Sequence, residues 1–100
     1  MAINKSKESL KEEKSAESNK DKNHYIYIIE CSDGSYYTGY TTDVERRVEE
    51  HNSGEGAKYT RGRRPVKLRY QEAFKSRSLA QKREYQIKKL PRSKKEELVN

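Results

Sequence analysis

The chain has one cysteine, two histidines and no long apolar run. A single thiol, Cys31, can form no internal disulfide. With His24 and His51 as the only imidazoles, it also argues against a structural zinc site, which needs four nitrogen or sulfur ligands. No stretch approaches the ~20 apolar residues of a membrane-crossing helix, so no membrane partner is expected. The opening residues, MAINKSKESLK, lack the apolar core of a signal peptide, and a reducing cytoplasm fits. There is no internal repeat. Apolar residues make up only 30% of 100, against 39% charged, which allows one small domain with a modest core.

Acidic residues are scarce in one place. Residues 58–95 hold fifteen Lys and Arg but only two acids, Glu72 and Glu84, a local charge of +13 out of a total of +7. Residues 23–57 are acidic at −5, and residues 1–22 are nearly balanced at +1. Basic charge concentrated in one segment suggests a polyanion partner, most often nucleic acid. The plainer alternative is a solvated surface.

Residues 1–22, rich in Lys, Glu, Ser and Asn, read as a disordered charged leader. Residues 23–100 read as the folded domain. Residues 25–31 and 35–40 are β-branched and aromatic runs separated by Asp33-Gly34, a hairpin signal. Thr42 with Glu45 suggests a capping box starting a helix at Asp43. Val44, Arg47, Val48 and His51 share one face of that helix, and Asn52-Ser53-Gly54 ends it. Residues 54–65 form a Gly- and Arg-rich loop. Residues 66–74 alternate as a third strand, with Val66, Leu68 and Tyr70 on one side. Ser78 with Gln81 suggests a second cap, for a helix with the stripe Leu79, Ala80, Arg83, Ile87 and Leu90, stopped by Pro91. Ser93 with Glu96 suggests a third. The order ββαβαα implies an α+β fold with a small three-stranded, mainly antiparallel sheet flanked by helices.

Tyr25-Ile26-Tyr27, followed by Tyr37-Thr38-Gly39 with Tyr37 ten residues after Tyr27, resembles the paired motif of the GIY-YIG nuclease superfamily. Tyr25 stands where glycine is usual, and Thr38 replaces an isoleucine. Arg47 and His51 follow at the family's offsets, and Glu84 falls on the helix after the third strand. The likeness is to the small stand-alone bacterial branch, marked by Tyr36-Tyr37-Thr38-Gly39, Arg46-Arg47, His51-Asn52-Ser53-Gly54 and the loop from Lys58 to Pro65. For the family's late asparagine only Asn100 offers itself.

The resemblance implies a metal-dependent DNA endonuclease, structure-selective or of low specificity, in DNA repair, recombination or processing. Its catalytic residues would be Tyr27, Tyr37, Arg47, His51 and Glu84. Glu84 would be the ligand for Mg²⁺ or Mn²⁺, and Arg47 would neutralise the scissile phosphate. Tyr27 or Tyr37 would take the proton from water, its high pKa lowered by nearby positive charge. Lys58, Arg61, Arg63 and Arg64 would hold backbone phosphates, and Tyr59 could stack on a base. Association with the nucleoid and a targeting protein partner are compatible with this. Two other readings compete: a nucleic-acid-binding module that cleaves weakly or only with a partner, and a basic protein–protein adaptor.

Each residue also has a plainer role. The tyrosines can simply pack, Arg47 can pair with Glu84, and His51 can sit at a helix end. Glu84, ~40° from Ala80 and ~60° from Ile87 around its helix, can form an ordinary ion pair.

Strand geometry restricts the hairpin. A two-residue turn at Asp33-Gly34 would pair Tyr27 with Tyr40 and Glu30 with Tyr37, placing Tyr27 and Tyr37 on opposite faces. A three-residue loop, Ser32-Asp33-Gly34, with Gly34 left-handed in a bulge, pairs Tyr27 with Gly39 and Ile29 with Tyr37. Both tyrosines then share a face, so the three-residue loop is expected, with Gly39 leaving room for Tyr27.

Overall fold

A computed structural model describes residues 22–100. The expected leader, apart from Lys22, lies outside the described residues. Strands β1 (His24–Glu30), β2 (Tyr36–Thr41) and β3 (Lys67–Phe74) form one antiparallel sheet in the order β2-β1-β3. Helix α1 (Val44–Ser53) and the single turn α2 (Lys58–Arg61) lie between β2 and β3 in the chain. After β3 come α3 (Arg77–Lys88) and α4 (Arg92–Val99). The expected order holds, with one turn of helix added inside the Arg-rich loop.

Strand β1 is central and covered on both faces, which is why Ile26, Tyr27, Ile28 and Ile29 are all buried. Tyr27, Ile29 and Cys31 pack with Val44, Val48 and Val66 on the α1 face. Ile26 and Ile28 pack with Ala80, Ile87, Tyr70 and Phe74 on the α3 face. Burial of this kind contributes roughly 25 cal/mol per Å² of apolar surface, so β1 carries most of a small core.

The hairpin takes the three-residue form. The Cys31 N–H donates to the Ser35 carbonyl at 2.8 Å and the Gly34 N–H to the Cys31 carbonyl at 2.9 Å. Gly34 has φ of 86°, the left-handed region that glycine enters without a Cβ clash. Tyr27 pairs with Gly39 and Ile29 with Tyr37, as the shared-face requirement demands.

The helix starts differ from the sequence expectation. The cap of α1 is Asp43, not Thr42. Its carboxylate accepts from the Arg46 N–H at 3.1 Å, while the Thr41 hydroxyl holds the Asp43 N–H at 3.1 Å. Helix α3 starts from Ser76, whose hydroxyl accepts from the Leu79 N–H at 3.1 Å, so Ser78 lies inside the helix. Helix α4 starts directly after Pro91, whose extended backbone serves as the cap without a side-chain bond. Leu79, expected in the buried stripe, is 51% exposed; the buried line of α3 runs instead through Ala80 and Ile87.

Strand β3 does not alternate throughout. Ile28 pairs with Tyr70 but Ile29 with Leu68, so Arg69 is an extra residue in a bulge. The bulge turns Tyr70 to the α3 face, away from Val66 and Leu68. There its hydroxyl bonds Glu72, which also holds Arg83 at 3.1 Å. Arg69 itself pairs with Glu30 and donates to the Asn100 side-chain oxygen at 3.2 Å. Asn100 is thereby tied to β3, on the far side of β1 from β2.

Candidate active site

The side chain of Tyr27 reaches sideways across the sheet. A Cβ on Gly39 would lie 2.6 Å from Tyr27 Cζ, so the ring passes over the space that glycine leaves in β2. Because β2 is an edge strand, the phenol hydroxyl arrives at the rim of the sheet. Tyr37, two residues earlier on β2, presents its ring on the same face, with centroids 6.4 Å apart.

Helix α1 brings the next two groups. Val44 anchors its apolar face, and the spacing noted in the sequence turns Arg47 and His51 toward the tyrosines. His51 is fully buried, with Nε2 2.9 Å from the Tyr27 hydroxyl and its ring 5.3 Å from that of Tyr37. The Arg47 Nη1 pairs with Glu50 at 2.8 Å, and the charge of its guanidinium lowers the pKa of the Tyr27 phenol. The expected plain partner, Glu84, is not the one Arg47 uses. Glu50, one turn along the same helix, is closer at hand.

The loop after α1 closes over the imidazole. The Asn52 side chain accepts from the Val66 N–H at 2.7 Å and donates to the Val66 carbonyl at 3.1 Å, cinching residues 53–65 into a compact turn. A Cβ on Gly56 would lie 2.7 Å from His51 Cα, so the chain passes hard against the helix. Thr60, fully buried, then meets His51 Nδ1 at 2.7 Å. In the sequence, Asn52 reads only as part of the helix stop and, with Thr60, as part of the stretches that mark the bacterial branch; neither has a role at His51 there, and Gly56 is not singled out.

Glu84 comes from α3. Its side chain is 18% exposed, and Oε2 lies 3.0 Å from the Lys88 ammonium. The ordinary ion pair considered for it is therefore present, with Lys88. It is still near enough for its charge to act on the Tyr27 phenol. Tyr36, Tyr37, Thr38, Tyr59, Lys88 and Lys95 line a cleft of about 300 Å³ beside it.

The four loop cations divide into two pairs. Arg63 is bound to Asp33 at 3.0 Å and lies over the Tyr59 ring, with Cζ 4.0 Å from the centroid. Tyr59 also stacks near Tyr37, centroids 6.0 Å apart, so a base stacking there would share the ring with these neighbours. Arg64 donates to the Arg61 carbonyl at 2.9 Å. Lys58 and Arg61 have no ion pair among the described residues.

Burial raises the Tyr27 pKa to about 12, and the Arg47 guanidinium only partly offsets it. Arg47 lowers this phenol's pKa in the direction expected from the sequence, but desolvation outweighs it. Burial also lowers the His51 pKa, assisted by the Arg47 charge and opposed by Glu50. His51 is thus neutral in the resting site.

The sign of the linkage follows. The unfolded chain takes up a proton at His51 near its ordinary value of 6.5, while the folded protein does so only at lower pH. Stability should be flat above that value and fall as pH drops through the window down to the depressed folded pKa. Urea midpoints measured across about pH 7 to 5 should show this decline, and His51→Gln should remove most of it.

A model of the GIY-YIG catalytic domain matches residues 23–97. The chain belongs to the GIY-YIG family. Its relatives include the UPF0213 protein VNG_2274C of Halobacterium salinarum, 68% identical over 75% of this chain and 97% of the relative. The UPF0213 protein BH0048 of Halalkalibacterium halodurans is 60% identical over 78% of this chain and 83% of its own length. The solution NMR structure of BH0048 matches with a TM-score of 0.50, covering 76% of this chain and 81% of that one. That of protein EF2693 from E. faecalis matches with a TM-score of 0.52 at 54% identity, covering 74% and 79%. The chain is thus similar to small stand-alone GIY-YIG proteins, and the family points to nuclease activity.

GIY-YIG nucleases generally use a divalent metal, and the donors of this GIY-YIG domain can be tested against one. Among the described residues there is no cluster of three His, Cys, Asp or Glu side chains. That disfavours zinc, which wants a full set of protein ligands, but a lone carboxylate suits Mg²⁺, which keeps much of its water. Glu84 already faces a cation, the Lys88 ammonium. The donor chemistry of a lone carboxylate such as Glu84 is compatible with a hydrated Mg²⁺ or Mn²⁺.

Proposed function

We propose that this protein is a metal-dependent DNA endonuclease that hydrolyses phosphodiester bonds at the β2 rim, with structure-selective or low sequence specificity. The observation that carries the reading is the buried Tyr27–His51 hydrogen bond, with the Tyr37 ring packed against the same imidazole.

Arg47 binds the scissile phosphate, its fork geometry matching two phosphate oxygens better than an ammonium could. Tyr27 contacts the attacking water. Being protonated at rest, it can accept the water's proton only as it passes its own to His51 Nε2. His51 is neutral and can receive it, and the new imidazolium lies beside Glu50. Tyr37, whose hydroxyl has no hydrogen-bond partner among the described residues, orients the phosphate or the water. Glu84 would hold the divalent cation, which when bound would supply positive charge to polarise the phosphate and stabilise the departing oxygen. The cleft carries the strand past the site, with Lys88 and Lys95 facing phosphates and the tyrosines facing sugars and bases. Lys58 and Arg61, then Arg63 and Arg64, extend the contact along the backbone. Such contacts carry no sequence information.

A second reading is a nucleic-acid-binding module that cleaves only with a partner. The Lys88–Glu84 pair favours it, because a metal must displace that ammonium. The test is a panel of branched, flapped, single-stranded and plain duplex DNAs with Mg²⁺, Mn²⁺ or EDTA. Metal-dependent nicking supports the enzyme. Salt-sensitive binding without nicking in either metal supports the module, and the absence of any salt-sensitive DNA affinity defeats both.

A further inference from the structure

The buried polar chain behind Tyr27 has a direction, and Thr60 sets it. The buried Tyr27 side chain has His51 as the hydrogen-bond partner of its hydroxyl among the described residues, and the cation whose charge acts on it is the Arg47 guanidinium. A guanidinium only donates. Among the described residues, His51 Nε2 is therefore the acceptor left for the phenol proton, at 2.9 Å. A neutral imidazole that accepts at Nε2 carries its hydrogen on Nδ1. That hydrogen points at Thr60 Oγ1, 2.7 Å away. Thr60 can accept it because its own hydroxyl donates to the Ala57 carbonyl at 3.0 Å.

The opposite arrangement puts hydrogen on Nε2 and lets Nδ1 accept from Thr60 and from the Ala57 N–H, the latter at 3.4 Å. It gains one long bond and leaves the Tyr27 proton buried without an acceptor, and an unmet buried donor costs more than a long, weak bond returns.

We propose that Thr60 is a positioning residue that holds His51 in the Nδ1–H tautomer, so that Nε2 always faces Tyr27 as a proton acceptor. Its catalytic consequence rests on the hydrolytic reading above; the tautomer itself does not. In the proton step the Tyr27 O–H bond breaks and an Nε2–H bond forms, converting phenol and imidazole to phenolate and imidazolium. The water proton then completes the phenol. Thr60 keeps accepting from Nδ1–H throughout, so it neither gains nor loses a proton. Serine in place of Thr60 retains the bond; valine, of the same shape, has no oxygen to accept.

Long-range ¹H–¹⁵N spectra of uniformly labelled protein read the tautomer directly, with His24→Gln used to separate the two imidazoles. Wild type and Thr60→Ser should show His51 protonated at Nδ1 and bare at Nε2 near neutral pH. Thr60→Val should shift toward the Nε2–H form. Wild type with hydrogen on Nε2 overturns the proposal, whether or not the valine variant folds. On DNA, Thr60→Val should lose on the order of 10- to 100-fold in single-turnover nicking rate at unchanged DNA affinity, with Thr60→Ser close to wild type. A valine variant that flips the tautomer yet nicks at the wild-type rate overturns the positioning role. A wild type inert on every substrate overturns the hydrolytic reading, and the spectra alone then judge the tautomer.

Discussion

Gly39→Ala is expected to abolish nicking and to lower the thermal midpoint together. The new methyl would fall on the end of the Tyr27 ring, which is 1% exposed and fixed at its hydroxyl by His51. The ring has no free rotamer to retreat to, because α1 packs over the same face. Overpacking of this kind costs about 1–3 kcal/mol. In a domain of this size each kcal/mol lowers the midpoint by roughly 4–8 °C. Displacing the ring also breaks the Tyr27–His51 contact, so activity should fall by more than the loss of folded protein explains. Calorimetry and nicking assays on the folded fraction would check this. A variant with the wild-type midpoint would mean that Tyr27 does not cross β2 at Gly39.

Arg47→Ala should slow nicking by roughly 10²–10³-fold, the usual cost of removing one preorganised donor from a developing anion. Two losses combine: the scissile phosphate loses its donor, and Tyr27 loses the cation that holds down its already raised pKa. Arg47→Lys should recover little, since an ammonium cannot address the phosphate and the phenol in the same plane. Stability should change little, because the Arg47–Glu50 pair is about a third exposed and such pairs contribute about 0–1 kcal/mol. Single-turnover rates against DNA affinity would separate the two effects. Equal loss of affinity and rate would make Arg47 an ordinary binding residue.

The hairpin was legible in the sequence because side-chain parity is rigid: once Tyr27 and Tyr37 had to share a face, only one loop length remained. The α1 face was legible for the same kind of reason, since Val44, Val48 and His51 recur at helical spacing. The bulge at Arg69 was not. The contacts that go with it are non-local, an ion pair from Arg69 to Glu30 and the Glu72–Arg83 pair that the Tyr70 hydroxyl joins, and a run such as Val66-Lys67-Leu68-Arg69-Tyr70 alternates perfectly without them. Helix starts slipped by one or two residues because several Ser, Thr and Asp side chains compete within a few positions, and tertiary contacts choose among them. The candidate site residues Tyr27, Tyr37, Arg47, His51 and Glu84 were named through the family resemblance. Their support was not legible: Thr60, Asn52 and Gly56 acquire meaning only when the loop folds back onto the imidazole. The depth of burial that holds Tyr27 protonated was equally invisible, since a pKa depends on neighbours distant in the chain.

The account turns on Glu84 as the carboxylate that makes the site work on DNA. The direct measurement is single-turnover nicking by wild type and Glu84→Gln on the best substrate of the panel, in Mg²⁺ and in EDTA. The amide keeps the shape and removes the charge. The prediction is wild-type nicking in Mg²⁺ and none in EDTA, with Glu84→Gln slower by about 10³-fold, as expected from losing several kcal/mol of metal-borne charge stabilisation at 1.36 kcal/mol per tenfold. DNA affinity should hold or rise, since a negative charge has been removed. Equal rates for the two proteins, or full activity in EDTA, would contradict the account.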